Sequence, residues 1–113
     1  MIIIEKPTSL NVLWIKRDID FTELMKVVID ISRGILAIDA EMHADLEELL
    51  IENGSEQQNL WGANVYPNRI NDDFIEYTSF LNIRPSHNNR SMEIQDNEIK
   101  LRVKKIIETL LTK

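Results

Sequence analysis

Met25, Val27, Ile29 and Ile31 alternate along the chain with Lys26, Val28, Asp30 and Ser32. That period of two places successive side chains on opposite faces of a strand. Arg33-Gly34 supplies a turn, with the glycine free to take a positive φ. The alternation resumes from Ile35 to Met42, with Leu36, Ile38, Ala40 and Met42 on one side. The pattern predicts a β-hairpin with one buried face, whose register a one-residue slip would invert. Ile2-Ile3-Ile4 favours a short strand because β-branched residues prefer extended backbone. Trp61 to Tyr66 reads as a short strand stopped by Pro67, and Phe74 to Arg84 as a longer one ended by Pro85.

Three segments carry the helical period instead. Leu10, Leu13, Trp14 and Arg17 follow Thr8 or Ser9 as a capping residue, giving a short helix over 9–17. Leu46, Leu49 and Leu50 give a helix from Asp45 to Asn53, with Gly54 placed as its left-handed terminator. Asp96 caps the last helix, whose Ile99, Val103, Ile106, Ile107 and Leu110 form one apolar stripe. Strands joined by short turns and interrupted by helices predict a single α+β domain over 1–113. Its core would be an antiparallel sheet of about four to five strands, with two to three helices packed largely on one face.

Composition narrows the class without naming a reaction. Hydrophobic residues make up 43% and charged residues 28% of 113 residues, as in an ordinary globular protein. No cysteine is present, which removes disulfides, thiolate metal sites and thiol nucleophiles and fits a reducing, cytoplasmic setting. No apolar run approaches the length of a membrane span. The first 60 residues carry 12 acidic and 5 basic side chains, the remainder 7 and 8, so the net charge of −6 lies in the front half. A nucleic-acid surface needs clustered Lys and Arg. Lys100, Arg102, Lys104 and Lys105 read as the solvated face of a helix without interleaved aromatics.

The residues that could carry chemistry lie mostly in the polar middle of the chain. Glu41, His43 and Asp45 are spaced by two and, on an extended hairpin strand, would share one face able to hold a divalent metal or act in acid–base work. The bland alternative is a solvent-facing stripe with Asp45 capping the next helix. Asn82 and Arg84 would share a face of the long strand, with Asn89-Arg90 in the following loop and Asn64 on a neighbouring strand. Guanidinium groups grip carboxylates and phosphates through paired hydrogen bonds, and amides offer both donors and acceptors. Arg84 could equally pair with an acidic residue of the front half, and Asn89 could hold its own loop. Trp61 is a core or interface anchor.

The chain resembles a small, functionally uncharacterised prokaryotic family of domains of unknown function. The likeness rests on Ile2 to Pro7, on Val27-Val28-Ile29-Asp30 with Arg33-Gly34, and on His43-Ala44-Asp45. It continues through Leu60-Trp61-Gly62, Asn64, Asn82-Ile83-Arg84-Pro85 and Asn89-Arg90-Ser91. Where that family carries a glycine before Asn-Arg-Ser, this chain has Asn88, and asparagine tolerates the left-handed conformation. The resemblance implies no activity and no cofactor. The expected function is therefore a binding or regulatory module whose His43, Asp45, Trp61, Asn64, Asn82, Arg84, Asn89 and Arg90 recognise an anionic small molecule or a protein partner. The alternatives are a metal-assisted hydrolase using Glu41, His43 and Asp45, and a structural homo-oligomer with Trp61, Phe74 or Phe80 at its interface.

Overall fold

A computed structural model describes residues 1–113 and places the hairpin at the centre of the molecule. In chain order the elements are β1 (Ile2–Ile4), β2 (Thr8–Ser9), α1 (Leu10–Lys16), β3 (Met25–Asp30) and β4 (Ile35–Ile38). They continue with α2 (His43–Glu52), β5 (Leu60–Val65), β6 (Ile75–Glu76), α3 (Asn97–Leu110) and β7 (Leu111–Thr112). Five strands form one sheet in the order β1-β4-β3-β5-β6, antiparallel at every step. Ile29 lies opposite Leu36 in the hairpin and opposite Trp61 across β5. β2 and β7 make a separate parallel pair. The expected α+β domain is thus the observed one.

Both faces of the sheet are covered. On one, Met25, Val27 and Ile29 with Trp61, Ala63 and Val65 meet Leu10 of α1 and Val103, Ile107 and Leu110 of α3. On the other, Val28, Ala37 and Leu60 meet Leu46 and Leu50 of α2. Two of the three helices share a face, and α2 buries the side of the hairpin that the alternation would have left to solvent. Gly34 turns the hairpin at φ 69°, supported by Asp30 Oδ1, which accepts the N–H groups of Ser32 and Arg33. Ser9 Oγ accepts the Val12 N–H, and Asp96 Oδ1 accepts those of Glu98 and Ile99, so both helix starts follow their capping signals. Gly54, at φ 102°, ends α2. No helix is long and apolar enough to cross a membrane.

Two expectations are corrected. β4 stops at Ile38 because Asp39 turns left-handed (φ 77°) and its carboxylate accepts the Asp18 N–H at 2.9 Å. α2 then begins at His43, so Glu41, His43 and Asp45 do not share a strand face. Met42 is the N-cap residue, 58% exposed, and Asp45 lies in the first turn. The long strand over 74–84 is also broken. Only Ile75–Glu76 pair with β5, and the chain then winds through 3-10 turns at Phe80–Asn82 and Pro85–His87. Ser79 Oγ takes the Leu81 N–H to start the first turn. Arg84 and Asn89 exchange backbone hydrogen bonds of 2.7 and 3.1 Å around Asn88, which sits left-handed at φ 58°. Local side-chain bonds have outcompeted the ladder.

Candidate functional site

β6 protects only one end of β5, opposite Asn64 and Val65. At Gly62 the edge is taken by a side chain. Asn82 Oδ1 accepts the Gly62 N–H at 2.8 Å, and Asn82 Nδ2 donates to the Gly62 carbonyl at 2.9 Å. One amide thereby makes the pair of bonds a neighbouring strand would make. Its nitrogen also donates to the Met92 carbonyl at 3.0 Å, and Asn82 is wholly buried. Asn89 fastens the rest of this strap over residues 77–95. Its Nδ2 reaches the carbonyls of Asn82, Ser91 and Glu93 within 2.9 Å, and its Oδ1 accepts the Gln95 N–H.

Gly62 is where the strap and α2 converge. A Cβ there would lie 2.5 Å from Ser79 Cβ and 3.3 Å from His43 Cδ2. His43 crosses the strand at this point, its Nε2 donating to the Ala63 carbonyl at 2.8 Å. Burial pushes the imidazole below its ordinary value; the bond to Ala63 opposes that shift, the charge of Lys26 adds to it, and Asn64 opposes it. Asn64 is buried, donates to Glu76 Oε1 at 2.8 Å, and keeps an unpartnered Oδ1.

Glu47 stands one helical turn after His43, on the same side of α2. Its carboxylate lies 3.7 Å from the Arg84 guanidinium, both side chains being largely buried (17% and 11% exposed). The guanidinium also lies 5.1 Å from the centroid of the Trp61 ring. Burial lowers the Arg84 pKa and the Glu47 charge raises it. Both terminal nitrogens of Arg84, Trp61 Nε1 and Glu47 Oε2 lack hydrogen-bond partners. Donors outnumber acceptors here, a condition that a carboxylate or phosphate, being acceptor-only, would relieve.

The fold therefore places Asn64 and His43 on the α2 side of β5 and Trp61 on the α3 side, with Arg84 reaching Trp61 at the strand edge and Asn82 and Asn89 as the scaffold that holds the strap. Asp45 is exposed on α2, and Arg90 is exposed with its backbone N–H on Gln95 Oε1. No three His, Asp or Glu side chains gather as metal ligands would, so the strand row of Glu41, His43 and Asp45 dissolves. Trp61 and Phe74 are buried within the monomer, while Phe80 is 78% exposed. Glu47, Gly62 and Ser79 escaped sequence reasoning. Only Glu47 had a signal, the i, i+4 step from His43, and that step has meaning only once His43 is placed on a helix. The largest cleft opens elsewhere, between α3 and the β6 segment.

Residues 2–110 match the model of a family described as "Protein of unknown function (DUF5674)". No curated protein and no solved structure matches the chain.

Proposed function

The chain belongs to the DUF5674 family, and we propose that it is a small cytoplasmic binding module that takes an anionic group at Arg84. One observation carries this reading: a largely buried guanidinium whose two terminal nitrogens have no acceptor, beside the equally unpartnered Trp61 Nε1. A buried cation is costly unless its hydrogen bonds are made. Glu47 offers charge compensation at 3.7 Å but no hydrogen bond. A carboxylate or phosphate, on a small molecule or on a partner protein, supplies the missing acceptors. The site is covered at rest, Arg84 and Trp61 both being largely buried, and the backbone at Arg84 is fixed by its two bonds with Asn89.

Thermal unfolding against phosphates, nucleotides, small carboxylates and divalent metals tests the reading. A ligand at about 100 times its Kd stabilises by about 2.7 kcal/mol, a shift on the order of 10 °C for a domain of this size. The shift should vanish in Arg84→Gln and persist in Arg90→Gln. An anion shift retained by a folded Arg84→Gln would overturn the assignment, and a metal-specific shift would favour metal chemistry instead.

A further inference from the structure

The largest cleft, about 570 Å³, is formed by α3 and the chain from Asn71 to Tyr77, far in character from the Arg84 site. Its apolar lining comes from Ile75, Tyr77 and Leu101. Its charges come from Lys100, Lys104 and Glu108, spaced at four residues along α3, and from Asp72 on the opposite wall. Spacing of i, i+4, i+8 puts the three helical charges on one stripe. Two cations and two anions thus face one space, yet none is paired. The single ion pair in the chain within 4.0 Å is that of Arg84 with Glu47.

The cleft also has some internal order. Lys100 Nζ stands 4.9 Å from the centroid of the Tyr77 ring, a cation held over an aromatic face. The carboxylates of Glu108 and Asp72 both act on the Tyr77 phenol, which burial and these charges push up to about 12. Tyr77 therefore stays a neutral hydroxyl donor at physiological pH, within the field of two carboxylates and under a lysine. A simple anion would meet the two carboxylates, and a simple cation the two lysines. A molecule bearing both charges on an apolar body satisfies all three features.

The geometry points to a binding site for an amphipathic zwitterion, the chemistry of a free amino acid with an aromatic or long aliphatic side chain. Its carboxylate would pair with Lys100 and Lys104 and its ammonium with Asp72 and Glu108, the side chain lying on Ile75, Tyr77 and Leu101. A cleft of this volume is within the range of small-molecule sites. This site is independent of the Arg84 reading.

Calorimetric titration of the full chain with L-phenylalanine and L-leucine, alongside N-acetyl-phenylalanine, phenylalaninamide and phenethylamine, tests it. The zwitterions should bind about tenfold more tightly than each singly charged analogue, since each analogue leaves one pair of charges unsatisfied. Lys104→Gln should weaken phenylalanine but not phenethylamine, which has no carboxylate. Glu108→Gln should weaken phenylalanine but not N-acetyl-phenylalanine. Glu108 is exposed and Lys104 half-buried, and neither makes an ion pair, so the variants should melt as the wild type does. Absence of binding at millimolar zwitterion overturns the proposal. So does an acetylated or amidated form that binds as tightly as phenylalanine itself, or a folded Lys104→Gln with unchanged preference.

Discussion

Gly62→Ala is the most severe test of how the strap is seated. Alanine is the smallest change available, and β5 backbone at this position accepts any residue, since Gly62 does not adopt a positive φ. The added Cβ would nevertheless lie 2.5 Å from Ser79 Cβ and 2.6 Å from Ser79 Oγ, inside any real carbon contact. Ser79 Cβ is rooted in the backbone and cannot swing aside. The strap must retreat, and the two Asn82 bonds to Gly62 lengthen or break. Overpacking alone costs about 1–3 kcal/mol. Each lost buried hydrogen bond adds about 1 kcal/mol. The sum, about 3–5 kcal/mol, is a large part of the roughly 5–15 kcal/mol that holds a domain together. It corresponds to a fall in Tm on the order of 15 °C.

Urea unfolding of wild type, Gly62→Ala, Ser79→Gly and the double variant separates the collision from other effects. Ser79→Gly removes both colliding atoms and also the Oγ that starts the 3-10 turn at Leu81. It should therefore destabilise modestly alone yet recover part of the loss when combined with Gly62→Ala. The coupling should exceed about 1 kcal/mol, as for residues in contact. A Gly62→Ala variant within about 0.5 kcal/mol of wild type, the range of an ordinary surface change, would refute the seating of Ser79 on Gly62.

Asn89→Ala would strip the carbonyls of Asn82, Ser91 and Glu93 of their shared donor. It should cost about 2–4 kcal/mol in urea, with Asn89→Asp no better because a carboxylate cannot donate; a neutral substitution would show that the strap is held elsewhere. His43 is held below its ordinary pKa by burial, so the unfolded chain binds its proton more readily than the folded one. The stability tied to neutral His43 should be complete above about pH 6.5 and fall away as the pH drops through the lowered folded value. Urea midpoints measured between about pH 7.5 and 5.5 should slope in wild type and flatten in His43→Gln; equal slopes would place the titration in another group.

The hairpin was legible because its period of two extends over both strands and Gly34 marks the turn. The last helix was legible because its stripe is long and Asp96 announces its start. The strap was not. Phe74 to Ile83 carries enough alternating apolar residues to pass for a strand, and what breaks it is a bond between Asn82 and Gly62, 20 residues apart. No local window contains that information. The start of α2 was hidden for another reason: Met42 makes no side-chain cap, and the turn that frees the helix from β4 depends on a left-handed aspartate at 39. Misplacing that start put His43 on a strand, which brought it into line with the wrong carboxylates and concealed Glu47. Asn88 takes the left-handed conformation, which asparagine tolerates.

An unpaired strand edge invites another chain, and proteins cover such edges or interrupt them. β5 is central to the core, yet its only strand partner on that side is two residues long. Extending β6 by four residues would have closed the edge more simply. Such a strand would end at Phe80, opposite Leu60, and carry the chain straight past the end of β5 before Arg84 is reached. The side-chain clamp at Asn82 closes the edge while freeing the following residues from the ladder. Two residues later, Arg84 lies beside both Trp61, from the α3 side of the sheet, and Glu47, from the α2 side. Only a segment running around the edge, rather than along it, can reach groups on both faces. Protection of β5 and placement of the guanidinium are thus consequences of the same amide. For that reason Asn82 variants should lose stability and the Arg84-dependent ligand shift together, whereas Arg84 variants lose the shift alone.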